Sequence, residues 1–169
     1  MRIPRLPWSE FFMLQAHLIA TRSTCDRGPE LLFDPGRHGV GAVLVRDHRV
    51  IAGGYNGSPP EQPHCDVAGH LMREGHCVRT IHSEMNALLQ CALDGVSPAG
   101  SILYTTASPC HDCAKVIIRA QIRFVYYGEP YDSRYGLSGD VGAMLRRANI
   151  GLSELTLGVR DGQVRLITT

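Results

Sequence analysis

Residues 108–115 read SPCHDCAK, which sets Cys110 and Cys113 three positions apart behind a proline. Thiols at that spacing serve as a redox pair, half of a structural zinc site, a c-type haem attachment, or core thiols that are neighbours by chance. Haem attachment requires histidine directly after the second cysteine, and Ala114 stands there instead. Upstream, TIHSEMNALL supplies His82 and, two residues on, Glu84. One imidazole and two thiolates form a three-ligand set. Three protein ligands with a fourth position left to water is the arrangement of a catalytic rather than a structural zinc. A carboxylate nearby that is not itself a ligand would serve such a site as general acid and base.

The chain between these residues has to bring them together. From His82 to Leu93 the pattern is helical: Met85, Leu88, Leu89, Ala92 and Leu93 recur at i, i+3, i+4, i+7 and i+8, and Gly95 supplies a stop. SILYTTA reads as a strand, and Cys110 and Cys113 open a second helix with Ala114, Ile117 and Ile118 inward. RFVYYG is another strand, followed by a helix near 139–149 and a last strand near 153–159. Such a strand–helix alternation places the N-termini of both helices at one end of a sheet, where α/β sites form. Helix N-termini also favour the thiolate that zinc needs. Two residues along a helix is a turn of about 200°. His82 and Glu84 are therefore expected to converge only over the open helix end, with Glu84 beside the water and not a ligand.

Ahead of this unit, Ser9 is the expected N-cap of a helix over about residues 10–21, with Phe11, Leu14 and Leu18 on one face and Phe12 and Ile19 beside them. Residues 28–38, rich in Pro and Gly, read as a loop. GVGAVLVRD and RVIAGGYNG form a hairpin around Asp47-His48. Residues 58–81 show no period and are dense in His and Cys. The alternation implies an α/β layered domain with an antiparallel hairpin at its start.

At 169 residues one domain, 1–169, is expected. A net charge of +1 without a basic stripe disfavours polynucleotide as partner. No apolar run reaches the roughly 18 residues of a membrane span. Glu10, Gln15 and His17 interrupt the apolar N-terminal stretch, and no small-residue cleavage pattern closes it. The expectation is a soluble cytoplasmic protein. There, six cysteines are metal ligands or core thiols rather than disulfides, and Cys91, beside Leu88 in a helix, reads as a core thiol.

The order His82, Glu84, Pro109, Cys110, Cys113 resembles the H-x-E…P-C-x-x-C signature of zinc nucleobase deaminases. Thioredoxin-like chemistry has no use for His82 and Glu84, so the redox reading falls. WSEFFMLQAHLIATRSTC, VGAVLVRDHRVIAGGYNGSP, HCVRTIHSEMNAL and SPCHDCAKVII, in that order over roughly residues 8–150, closely resemble the deoxycytidylate (dCMP) deaminases of bacteria and phages. The resemblance implies a cytidine-deaminase-like three-layer α/β/α fold with a central mixed five-stranded sheet. It implies zinc-dependent hydrolysis of dCMP to dUMP and ammonia, supplying dUMP for thymidylate synthesis. A homo-hexamer activated by dCTP and inhibited by dTTP is part of the same pattern. His82, Cys110 and Cys113 would hold the catalytic zinc, and Glu84 would move protons between water, N3 of the ring and the departing amine.

By position in GYNG, Asn56 would contact substrate; read without the resemblance, Asn-Gly is a turn. Two features depart from the family. Ser83 stands where alanine is usual, a hydroxyl that would touch the pyrimidine or cap the helix. The segment 28–38 is about ten residues longer than in close relatives. Candidate phosphate contacts are Arg22, Arg27, Arg37, Arg79 and Lys115. The Cys/His-rich loop is expected to be pinned by a second, structural zinc on Cys25, Cys65, His70 and Cys77, with His64 or His76 as substitutes. Alternative substrates on the same scaffold are dCTP, a modified dCMP or cytidine. A zinc-stabilised binding module is the non-enzymatic alternative, and it has no need of Glu84.

Overall fold

Five strands with apolar residues on both faces form the central sheet, and they fix where the helix ends lie. The computed structural model describes residues 5–131, 139–160 and 163–166. In chain order these contain α1 (Trp8–Ala20), β1 (Glu30–Leu31), β2 (Asp34–His38), β3 (Gly41–Arg46), β4 (Arg49–Tyr55), α2 (Cys65–Ala68), β5 (Met72–Arg73) and β6 (His76–Cys77). Then follow α3 (Ser83–Leu93), β7 (Ile102–Ala107), α4 (His111–Arg119), β8 (Phe124–Glu129), α5 (Gly139–Arg147), β9 (Gly151–Glu154), β10 (Leu157–Arg160) and β11 (Gln163–Leu166).

The five-stranded sheet has the order β4-β3-β7-β8-β9. β3 runs antiparallel to both β4 and β7, while β7, β8 and β9 are parallel, so the sheet is mixed as expected. Asp47 and His48, at φ 50° and 58°, make the tight β3–β4 turn in the left-handed region that matches strand twist. Side chains along β3 alternate between two cores. Ala42 and Leu44 pack with Ala87, Leu88, Ala114, Ile117, Val141 and Leu145 of α3, α4 and α5. Val43 and Val45 pack with Phe12, Met13 and Ala16 of α1 on the other face. Helices on both faces give the three-layer α/β/α architecture.

Several local expectations need correction. α1 starts at Trp8 behind Pro7, so Ser9 lies inside the helix and caps nothing. It buries Phe12, Met13, Ala16, His17 and Ala20, while Phe11 and Leu18 face outward. α3 likewise buries Ser83, Glu84, Ala87, Leu88 and Cys91, leaving Leu89 and Leu93 exposed. The reason is common to both: small residues let a helix press on glycine. A Cβ on Gly41 would meet Ala16 O at 2.2 Å, and one on Gly54 would meet Ala87 N at 2.5 Å. Close approach outweighed the larger apolar stripe. Residues 28–38 are not a plain loop, because β1 and β2 pair as a small hairpin with Gly36 donating to Glu30. Residues 58–81 contain α2 and the two-residue pair β5–β6. The last expected strand is two: β9 closes the sheet, and β10 pairs separately with β11.

Candidate active site

Two helix N-termini meet at the ends of β4 and β7. Gly57 and Ile81 exchange backbone hydrogen bonds, tying the residue before His82 to the chain just beyond β4. His82 is the N-cap of α3 and Cys110 the N-cap of α4, with Cys113 in the first turn of α4. His82 Nδ1 lies 3.5 Å from Cys110 Sγ and 3.5 Å from Cys113 Sγ. A tetrahedral ion with Zn–S of about 2.3 Å and Zn–N of about 2.0–2.1 Å holds nitrogen and sulfur roughly 3.5 Å apart, so this donor set fits zinc. Hydrogen bonding from Cys113, and then from His82, brings Cys110 down to about 4 against the upward push of burial. The hydrogen bond to Cys110 in turn lifts His82 to about 9.

The helical rotation expected between His82 and Glu84 is absent. His82 is extended, at φ −66° and ψ 151°, so the pair straddles the helix boundary rather than sharing the helical rotation. Glu84, in the first turn of α3, is 4% exposed and lines the same cavity as His82 and Cys110. Burial pushes its carboxyl up, so it holds a proton more readily than a surface glutamate. Ser83 Oγ donates to Glu84 Oε2 over 3.1 Å.

Asn56 forms another part of the wall. Its Oδ1 accepts from Val40 N–H at 2.9 Å and lies against the Ser23 hydroxyl, while its Nδ2 donates to Cys25 O at 3.0 Å. Of the five candidate cations, Arg27 lines this cavity, its Nη2 donating to Gly75 O at 2.9 Å. Arg37 is paired with Asp34, Lys115 with Asp112, and Arg79 donates to Gly69 O. Tyr131 completes the wall, its backbone N–H donating to Ser108 Oγ at 2.7 Å. Tyr131 was not singled out in the sequence, because it follows a strand without any motif.

The second cluster assembles beside the first. One ligand atom from each of Cys25, Cys65, His70 and Cys77 lies within 4.8 Å of the others. Cys65 Sγ and Cys77 Sγ are 3.5 Å apart, and Cys25 Sγ lies 3.7 Å from His70 Nδ1. Burial pushes Cys65 up to about 12. At Cys77 burial is outweighed by hydrogen bonds from Arg79 N–H and His70, and the thiol falls to about 6. Three soft sulfurs and one imidazole at these spacings are a donor set for a closed zinc site. His64 stands at the N-cap position of α2 outside this set, and His76 lines the cavity of His82 and Glu84 instead. Asp26 is a residue the sequence did not mark: its Oδ1 accepts from His70 Nε2 at 2.8 Å, leaving Nδ1 toward the sulfurs.

Among the described residues no helix is long and apolar enough to cross a membrane. The family model for the cytidine and deoxycytidylate deaminase zinc-binding region matches residues 6–129. The chain is 50% identical to ComE operon protein 2 of Bacillus subtilis over 127 residues, 75% of this chain and 62% of that protein. It is 34% identical to the deoxycytidylate deaminase of Mycobacterium phage D29, over 73% of this chain and 95% of that one. A solved dCMP deaminase of the cyanophage S-TIM5, in complex with dCMP and dUMP, superposes with a TM-score of 0.70 at 28% identity, covering 90% of this chain and 100% of that chain. The chain thus spans less than two thirds of its Bacillus relative and nearly all of these two phage proteins. With fold, donor set and sequence in agreement, the chain belongs to the cytidine and deoxycytidylate deaminase family.

Proposed function

We propose that the protein hydrolyses the exocyclic amine of dCMP: dCMP and water give dUMP and ammonia. The observation that carries this reading is the buried carboxyl of Glu84 in one cavity with His82, Cys110, Asn56 and Arg27. His82, Cys110 and Cys113 would hold a zinc, which when bound would make a water acidic enough to act as nucleophile at neutral pH. Glu84 accepts a proton from the attacking water and places it on N3 so that C4 becomes electrophilic, then takes the second proton from the oxygen added at C4 and hands it to the departing amine. Its raised affinity for protons suits both directions of transfer. Asn56 offers one N–H to an acceptor on base or sugar, and Arg27 pairs with the 5′-phosphate. A guanidinium–phosphate contact of this kind contributes roughly 1.5–3 kcal/mol and sets monophosphate above nucleoside.

The remaining parts of this reading are proposed by extension from the family resemblance. The domain spans 1–169, a second zinc on Cys25, Cys65, His70 and Cys77 is structural, and the assembly is a cytoplasmic homo-hexamer. It supplies dUMP for thymidylate synthesis, with dCTP activating and dTTP inhibiting. The test is ammonia release from dCMP, CMP, deoxycytidine and dCTP, each with and without added dCTP and dTTP. The expected result is a kcat/KM for dCMP about 10- to 10²-fold above deoxycytidine. Glu84→Gln should retain zinc and lose about 10²–10⁴ in turnover. Equal rates on dCMP and deoxycytidine would remove the phosphate contact; preference for dCTP would move the substrate to the triphosphate.

A further inference from the structure

Ser83 sits between the ligand candidate His82 and the proton carrier Glu84, on the first turn of α3. Its side chain is 0% exposed and that of Glu84 4%, and the hydroxyl donates to Glu84 Oε2 over 3.1 Å. A buried hydroxyl needs a hydrogen-bond partner, and here the partner is the carboxyl that does the chemistry. The backbone beneath is fixed: a Cβ on Gly54 would lie 2.4 Å from Ser83 O, so β4 presses directly on this turn. Serine has one side-chain torsion to hold, whereas glutamate has three. A short, anchored donor beside a longer carboxyl therefore sets the orientation of the carboxyl and not the reverse. A carboxyl that exchanges protons with water on one side and a ring nitrogen on the other depends on that orientation.

We propose that Ser83 is a positioning residue that acts through Glu84: its O–H fixes Oε2 and leaves the other carboxyl oxygen to exchange protons. The inference rests on the deaminase reading. A direct contact between Ser83 and the pyrimidine is the competing role, and it requires the hydroxyl to leave Glu84.

The experiment compares zinc-loaded wild type, Ser83→Ala, Glu84→Gln and the double variant in single-turnover and steady-state assays on dCMP, together with crystal structures. Ser83→Ala should lower kcat about tenfold, which corresponds to ~1.4 kcal/mol and lies within the net range of one ordinary hydrogen bond. KM should stay within about twofold, since substrate binding is untouched. In the Glu84→Gln background the same substitution should cost nothing further, because the group it orients is already disabled. The Ser83→Ala crystal structure should show Glu84 turned away or in more than one orientation. Raised KM with kcat intact would overturn the proposal in favour of substrate contact. An equal loss in both backgrounds would overturn it as independent of Glu84. Should Ser83→Ala fail to fold, Ser83→Cys keeps the size with a weaker donor and is expected to give a kcat between the two. Wild type that releases no ammonia from any cytosine nucleotide would sink the deaminase reading itself. Glu84 unmoved in the variant crystal would sink the positioning role on its own.

Discussion

The Asn56 side-chain nitrogen donates to the carbonyl oxygen of Cys25 over 3.0 Å, tying a wall of the cavity around Glu84 to a residue whose thiol faces the second cluster. The amide oxygen is committed as well, to Val40 N–H and the Ser23 hydroxyl. An asparagine amide has two donor and two acceptor positions. With three used by the chain, a single N–H is left for a ligand. Asn56 is thus both a brace between the chain around Cys25 and the start of β3 and, under the proposed function, a pure donor to substrate.

Asn56→Asp tests both roles with almost no change of shape. It sets a carboxylate oxygen against the Cys25 carbonyl and removes the ligand-facing donor. Leaving a buried polar group unsatisfied costs about 1–3 kcal/mol, so urea denaturation should show at least that loss. Catalysis on dCMP should fall by about 10-fold or more in kcat/KM beyond any change in folded fraction, as one substrate hydrogen bond is lost. Wild-type stability in this variant would contradict the bonding pattern.

The coming together of the candidate site was legible in the sequence because its order is local: His82 and Glu84 are two residues apart, Cys110 and Cys113 three, each pair at a helix start. The sheet was legible because GAVLVR and ILYTTA are β-type runs bounded by turn signals. The buried faces of α1 and α3 were not, since both helices carry apolar residues most of the way round. Their packing face was chosen by Gly41 and Gly54 on the strands, which no helical period reveals. The Asp26–His70 pair was hidden for a different reason. The two are 44 positions apart, and only the folded loop brings the carboxylate to the imidazole.

Asp26→Asn should weaken metal binding at the proposed second site without touching the proposed first. His70 Nε2 donates to Asp26 Oδ1, so Nδ1 is the nitrogen turned toward Cys25 Sγ. Carboxylates in that position fix the tautomer and raise ligand basicity, and losing one typically costs about 10–100-fold in metal affinity. Competition with a graded chelator, followed by metal analysis, should show one of two zincs leaving earlier than in wild type. Cys77→Ser should remove that zinc outright and lower the thermal midpoint, because closed zinc sites contribute to folding. A single zinc per chain, unchanged in both variants, would reject the second site.

His17 should give the fold an acid limb that has nothing to do with metal. It lies on the buried face of α1, 8% exposed, and its Nε2 has no hydrogen-bond partner among the described residues. Burial alone lowers its pKa from 6.5 to about 4. The folded protein therefore keeps His17 neutral at pH values where the unfolded chain protonates it. With the folded value below the unfolded one, this contribution to stability is full above about pH 6.5 and is lost as pH falls toward about 4. At 1.36 kcal/mol per unit, the loss amounts to ~3 kcal/mol across that window. Acid also protonates the thiolates and loosens metal, so wild type alone would mix the two effects. His17→Leu removes the titration and leaves the candidate metal ligands in place. The difference in unfolding free energy between variant and wild type, measured by urea at several pH values, should be constant above pH 7. It should then grow in favour of leucine by ~3 kcal/mol as pH drops to about 4. A difference that stays flat across the range would mean that His17 reaches a partner or solvent when folded.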